Sequence, residues 1–512
     1  MVVLTRYILL IFAFFILTVY ADESIDSLLN QYAQEDDLSK QTKKESAGYL
    51  QIFTRADLDR MQIKSLYELI EKIAFVRYNE NSAGLSDINY SPYQTNTFSH
   101  MKLYLNDREL IAPFSGNGFQ LLGQIDIGYI DHIEVYTGIP SFEIGLETAI
   151  TIIKMYTKKG SRENSTVFGS SLATRGTTDT HIYKSESFDG LSYLFYADNR
   201  NLNREPVYNN GYKLSKDKNT NNIYAEIEKG NYRFEFQYTD GYMDNFMGQS
   251  WDITPSENDT DFWYLYGGLY YTSDDKSYKF SINYNINYSK NIQQSDGHLG
   301  IVQTDVYPYI YIYDDMVSEL REELSDLELK KVFESKNNKL LVGFRTRYKK
   351  FVFETLKLGD YEVPENSYNR EVITSAYVDN SYTINAKSIF TASMKYDRYF
   401  ENGGIKDSNI LGGRLGYIYH SNKMTLKSFL FYGEVNPNPF VLYYQSQLTD
   451  NEIKEQKVLS LSSKAIFRQD KNKFSLLLGR SYYYNGIYFT DTEYKNLDDT
   501  LYYDTISFRD EY

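Results

Sequence analysis

The sequence predicts a mainly β chain. A transmembrane antiparallel β-barrel of about sixteen strands fills residues 161–512, and a compact α/β unit precedes it over 48–160. Three observations predict this. Long runs alternate apolar and polar residues at every second position. The connections between the runs alternate short and long. Aromatic loading is heavy, 52 Tyr and 30 Phe in 512 residues, as suits a membrane barrel with aromatic girdles.

The alternation is clearest in four runs. Tyr232, Phe234, Phe236 and Tyr238 interleave with Arg233, Glu235, Gln237 and Thr239. Tyr278, Phe280, Ile282 and Tyr284 interleave with Lys279, Ser281 and Asn283. Val342, Phe344 and Tyr348 interleave with Arg345, Arg347 and Lys349; Phe390, Ala392, Met394 and Tyr396 interleave with Thr391, Ser393, Lys395 and Asp397. Such runs exceed the usual strand of about five or six residues. They fit spanning strands with one face to lipid and one to the lumen. Short turns such as Lys229-Gly230, Ser273–Asp275 and Ala386-Lys387 alternate with long polar segments such as 241–261, 289–322 and 435–456. That is the order a barrel with short turns on one side and long loops on the other would give. One stretch reads ambiguously, because Leu320, Leu324 and Leu327 fall at helical spacing.

Composition excludes several classes. Mean hydropathy of −0.51 excludes a bundle of transmembrane helices. The chain has no Cys, so it has no disulfide, thiolate metal site or cysteine nucleophile. A net charge of −15 argues against nucleic-acid partners. The five His stand apart from one another, with no pair at metal-ligand spacing. No P-loop, G-x-S-x-G or H-E-x-x-H motif occurs, and no cofactor site is read. Asn436-Pro437-Asn438-Pro439 reads as a turn in a long loop.

At the start, residues 1–21 read as a secretory signal peptide. Arg6 is their only charge, and the apolar core from Ile8 to Val19 is too short to span a bilayer comfortably. Residues 22–47 form a charged N-terminal extension. In the α/β unit, Tyr49–Phe53 reads as a strand, Thr54 as an N-cap with Asp57 three positions on, and Met101–Leu105 as a strand leading into an Asn106-Asp107 turn. Tyr129–Lys159 reads as two strands around a turn through Gly138, Pro140 and Gly145.

That last stretch resembles the end of the plug domain of TonB-dependent outer-membrane receptors. The match rests on Ile133, Glu134, Val135, Gly138, Pro140, Ser141 and Gly145, with Ile153 and Thr157-Lys158 following. Thr137 stands where the family usually has Arg, Ile139 is inserted before the Pro, and Ile150-Thr151 replaces a Gly-Gly pair. The resemblance implies a plug in the barrel lumen and a protein of the Gram-negative outer membrane, in contact with its lipid. It implies active uptake of a scarce small molecule such as an iron chelate, haem, cobalamin or another metal chelate, with no enzymatic step. It also implies a TonB-type energy-coupling protein of the inner membrane as partner. Ser24, Ile25, Asp26, Ser27, Leu28 and Leu29 are the best candidates for the coupling segment. An amphipathic helix explains the same residues. Tyr90, Tyr93, Phe98 and Phe114, in turn-rich loops, are candidates for ligand contact. A passive porin or structural outer-membrane barrel is the alternative, and residues 48–160 count against it.

Plugs of this size normally occupy barrels of about twenty-two strands, and barrel diameter grows with strand number. About sixteen strands therefore predict a truncated or short member of the family. The expectation is an open seam between the first strand near Val167 and the last near Leu501 to Tyr512.

Overall fold

In this computed structural model the described residues are 42, 44, 46–73, 76–80, 86–90, 101–116, 118–123, 125–146, 149–248, 255–295, 300–302, 311–313, 315–421, 423–448, 453–469, 472–489, 494–496 and 501–511. Ser24 to Leu29, Tyr93 and Phe98 lie outside them. Tyr90 ends a short hairpin, Val76–Glu80 with Ser86–Tyr90, and its side chain also lies outside the described set.

The N-terminal unit is built on a five-stranded mixed sheet. Its strands are β1 (Tyr49–Thr54), β2 (Met101–Leu105), β3 (Arg108–Glu109), β4 (Ile130–Thr137) and β5 (Thr151–Thr157), in the order β1-β4-β5-β2-β3. The β2–β5 pair is parallel; the others are antiparallel. Helix α1 (Arg55–Arg60) starts where the sequence says it should. Thr54 Oγ1 accepts from the Asp57 N–H at 3.2 Å, and the Asp57 carboxylate accepts from the Thr54 N–H at 3.1 Å. This capping box satisfies donors that a helix start otherwise leaves open. Helix α2 (Leu66–Ile70) buries Leu66, Leu69 and Ile70, and α3 (Phe119–Leu122) buries Phe119 and Leu122 against the same sheet.

The turn after β4 is tight because of Gly138. Its φ is +82°, and a Cβ there would lie 2.6 Å from the Tyr49 ring. Ile139 follows at φ 55°, a conformation costly for a β-branched residue. Its side chain is buried among Phe142, Leu146, Leu341, Tyr377, Phe431 and Val458. Burial against the barrel wall holds the strained backbone in place.

Among the described residues the barrel has sixteen long strands in sequential order: β6 (Ser165–Leu172), β7 (Thr178–Phe188), β8 (Leu191–Leu202), β9 (Lys218–Lys229), β10 (Tyr232–Asp244), β11 (Pro255–Thr272), β12 (Tyr278–Ser295), β13 (Asp315–Glu334), β14 (Asn338–Leu358), β15 (Arg370–Asn385), β16 (Ser388–Glu401), β17 (Ser408–His420), β18 (Met424–Val435), β19 (Gln456–Gln469), β20 (Asn472–Tyr484) and β21 (Leu501–Glu511). A two-residue strand, Tyr361–Glu362, adds to the end of β14. Strand length is uneven: 8 residues in β6, 20 in β13 and 21 in β14.

The predicted alternation holds. On β10, Tyr232 and Phe234 are exposed outward, while Glu235, Gln237 and Thr239 are fully buried inward. On β14, Val342 and Phe344 face out; Arg345, Arg347 and Lys349 are buried inside. An outer surface of exposed Phe, Tyr, Leu and Ile is what lipid requires. The stretch with helically spaced leucines is strand β13, paired on both sides. Two continuous ladders outweigh that coincidence of spacing.

The order of strands is that of a closed ring, with β21 next to β6. Among the described residues, however, no continuous ladder joins β21 to β6 as one joins every other pair of neighbouring long strands, and Phe168 and Leu172 of β6 are 67 % and 78 % exposed. That junction is the weakest in the ring, where the sequence placed the seam. Wall residues Tyr183, Leu194, Tyr196, Tyr224, Tyr264 and Tyr266 belong to the same apolar cluster as Phe53, Leu58, Leu69, Tyr129, Ile133 and Val135 of the plug.

Candidate ligand chamber

The family-motif residues are structural. Ile133, Glu134 and Val135 are completely buried in β4, and Ser141 is 3 % exposed. Pro140 is buried in the turn. Gly145 leaves room for Tyr104: a Cβ there would sit 2.7 Å from the Tyr104 hydroxyl. Glu134 accepts from the Tyr136 hydroxyl at 2.7 Å and lies 3.5 Å from His132 Nε2, while His132 Nδ1 lies 2.5 Å from Asp131. Burial pulls the His132 imidazole down, but its bonds to Asp131 and Glu134 and their charges outweigh this and raise it above 6.5.

At the long-loop end of the barrel, the plug meets loop segments from across the chain. Phe114 is the residue of the sequence-predicted set that the structure places there. It is 4 % exposed, so it is packed. Its ring lies 5.3 Å from Phe351, 5.4 Å from Phe353, 5.5 Å from Phe440 and 5.4 Å from Tyr443. Tilted and edge-on aromatic pairs at such spacing attract beyond their buried area. The Phe114 N–H donates to Glu322 at 2.6 Å, and its carbonyl accepts from the Phe440 N–H at 3.0 Å.

The segment read as a plain turn, Asn436-Pro437-Asn438-Pro439, proves to be part of this site. Asn438 caps helix α4 (Pro439–Leu448): its Oδ1 accepts from the Val441 N–H at 2.9 Å, with Pro439 at the first helical position. The cap and proline were in the sequence, followed by the apolar run Phe440–Tyr444. That signal could have found the helix. Asn366 fastens α4 from a second long loop by donating to the Tyr443 carbonyl at 2.9 Å.

Beneath this aromatic roof lies a cavity lined by Lys102 and Gly116 of the plug, Lys349, Glu371, Lys395 and Tyr399 of the wall, and residues 434–439. The lysines are ion-paired. Lys349 meets Glu371 at 2.8 Å, Lys395 meets Asp397 at 2.7 Å and Lys102 meets Glu109 at 3.4 Å. Each ammonium is thus neutralised within the site, and the carboxylates beside it are themselves buried.

Below the chamber, the plug is joined to the wall by two kinds of contact. Toward β8–β11, the Tyr129 ring packs tilted against Tyr196 at 4.7 Å and Tyr224 at 5.0 Å. Arg108 lies 3.7 Å above the Tyr266 ring and bonds Gln237, and Asn106 donates to Glu235 at 2.9 Å. Toward β13–β19 the contacts are mainly charged. Arg347 reaches Glu109 at 2.8 Å and Asp326 at 3.2 Å, with Arg345 also on Asp326. Lys395 donates to the Leu146 carbonyl at 2.6 Å, and Glu143 sits between Lys339 at 3.2 Å and Lys44 at 3.4 Å.

A closed antiparallel barrel, lipid-facing outside and filled by an N-terminal mixed sheet, defines a plugged outer-membrane barrel. Residues 42–149 match the TonB-dependent receptor plug domain. The whole chain is similar in structure to the FrpB iron transporter from Neisseria meningitidis, at 10 % identity and a TM-score of 0.67, over 90 % of this chain and 76 % of that one. It is similar to the siderophore receptor PirA from Acinetobacter baumannii, at 13 % identity and a TM-score of 0.63, over 92 % and 76 %. It is also similar to the copper transporter OprC, at 13 % identity and a TM-score of 0.67, over 90 % and 76 %. No curated protein matches it in sequence. Residues 42–149 thus carry a TonB-dependent receptor plug domain, and the chain shares the fold of TonB-dependent outer-membrane transporters.

Proposed function

We propose that the protein actively takes up a scarce metal chelate across the outer membrane, drawing on a TonB-type energy-coupling protein. The carrying observation is a closed ring whose interior is packed by the plug. A passive porin needs an open lumen, so this packing favours energised transport. The cavity under an aromatic roof, lined by paired lysines and carboxylates, is the candidate seat of the ligand, with iron chelates, haem, cobalamin and other metal chelates as the field of choice. In this reading residues 1–21 are the export signal and 22–47 reach the coupling protein, with Ser24–Leu29 as the contact. Residues 48–160 are the plug, and 161–512 the barrel. The long loops face outward and Phe114 reports ligand arrival to the plug.

Uptake of labelled ferric chelates, haem and cobalamin into whole cells tests this. Deleting 22–47 is expected to abolish uptake while surface binding of the same ligand persists. Uptake at the wild-type rate in the deletion, or in cells whose proton gradient has been collapsed, would point to passive passage instead.

A further inference from the structure

Between plug and wall, on the flank away from the chamber, the side chains of Asp126, Asp179 and His181 converge. One ligand atom from each lies within 4.8 Å of the others. Asp126 belongs to the plug segment before β4. Asp179 and His181 are two apart on β7, so both face the lumen. Their cross-strand partners on β8 are Arg200 and Asp198. Asp126 is 3 % exposed, and Asp179 and Asp198 5 % each.

The hydrogen bonding of this cluster is incomplete. Asp126 Oδ1 accepts from the Gly128 N–H at 2.6 Å and from the Tyr196 hydroxyl. Asp198 Oδ1 accepts from Asn222 at 3.0 Å, and its Oδ2 has no hydrogen-bond partner. Neither carboxylate oxygen of Asp179 has one, and neither has His181 Nδ1. A buried carboxylate with no donor to either oxygen is rare and costly. The nearest cation, the Lys64 ammonium, stands 3.8 Å from Asp179 Oδ2 and spends a hydrogen bond on Ser171 at 2.7 Å. Arg200 is drawn toward Glu68 at 3.1 Å. Four carboxylates (Asp126, Asp179, Asp198 and Glu68) thus face two fixed cations (Lys64 and Arg200), and a divalent ion would make up the difference.

We propose that Asp126, Asp179 and His181 bind one divalent first-row transition-metal ion, which staples the plug to the wall, with Asp198 as the neighbouring carboxylate. Two carboxylates and an imidazole suit zinc, manganese or cobalt. Calcium asks for six to eight oxygens, and magnesium for a nearly full octahedron of oxygen and water. The ligands come from both bodies, so the ion stabilises docking of the plug as well as the local site. The site is independent of the transported ligand.

The test uses the full-length protein purified in detergent, stripped with a chelator and titrated with Mn2+, Zn2+ or Co2+ with no transport ligand present. Elemental analysis after desalting is expected to find about one tightly held ion per chain. Co2+ should develop ligand-field absorption, and reloading should raise the melting temperature. Asp179→Asn and His181→Ala should each lose the retained ion. Asp126→Asn, a near-isosteric change on the plug side alone, should lose both the ion and the thermal gain. Heat-modifiable gel mobility confirms that each variant still has a folded barrel. No retained ion in the wild type overturns the proposal, and so does equal retention in all three folded variants, which would put the ion elsewhere.

Discussion

The two halves of the wall hold the plug by different mixtures of ring contact and ion pairing. On β8–β11 the plug's own core runs into the wall through the tilted rings of Tyr129, Tyr196 and Tyr224, edged by the ion pairs Arg233–Asp107 at 2.8 Å and Lys159–Glu226 at 2.6 Å. On β13–β19 an apolar patch around Ile139 and Phe142 is flanked by Glu109, Arg347, Asp326, Glu143 and Lys339. Packed rings stabilise in proportion to buried area and tolerate small shifts. Buried ion pairs add little net stability but penalise any state in which one partner is left alone. The larger ring-to-ring surface of the first half therefore supplies more of the adhesion, and the ion pairs on both halves fix register.

Four substitutions and a titration sharpen that contrast, from the largest expected effect to the smallest. Tyr129→Ala should cost about 3–5 kcal/mol by opening a cavity between two tyrosines, read as a lower denaturation midpoint in detergent. Arg347→Met should cost about 3 kcal/mol, because the buried carboxylates of Glu109 and Asp326 each lose a cationic partner, Glu109 keeping the more distant Lys102. Adding Glu109→Gln should restore most of that loss. If the double variant is as unstable as the single, the charges contribute adhesion and the contrast fails. Gly138→Ala should cost about 1–3 kcal/mol through its positive φ and the displaced Tyr49 ring. Thr54→Ala should cost about 1 kcal/mol by removing the cap of α1, with little change in ligand binding.

The smallest effect is the pH dependence of the plug's stability. The folded His132 titrates above its ordinary 6.5. Its contribution is therefore full below pH 6.5 and is lost as pH rises through the folded value. His132→Gln should flatten that slope in melting temperature against pH. An unchanged slope would assign it to another group.

Much of this was legible in the sequence because it is local. The Thr54–Asp57 cap, the Gly138 turn and the alternation of Tyr232–Thr239 each declare themselves within a few residues. What failed had a physical cause. The leucines of β13 mimic a helix, but pairing with β12 and β14 decides the matter. Strand number was read well, but that wall tyrosines complete the plug's core was not, because they meet it only through tertiary structure. The chamber was out of reach: Phe114, Phe351 and Tyr443 meet only through tertiary structure. The same holds for Asp126, whose acidic and histidine neighbours come from another part of the chain.

The unequal strand lengths have a consequence for approach. At 3.4 Å per residue and a tilt near 40°, a strand the length of β14 stands roughly 50 Å tall, well beyond a hydrocarbon layer of about 30 Å. β6 and β7, with 8 and 11 residues, stand only about 21 and 29 Å by the same measure and fall short of it. The rim is therefore a crescent: a parapet on one flank and a low sill on the other. Small solutes can arrive over the sill from nearly any direction, whereas a bulky particle settling on this surface would touch the parapet first and be held off the sill.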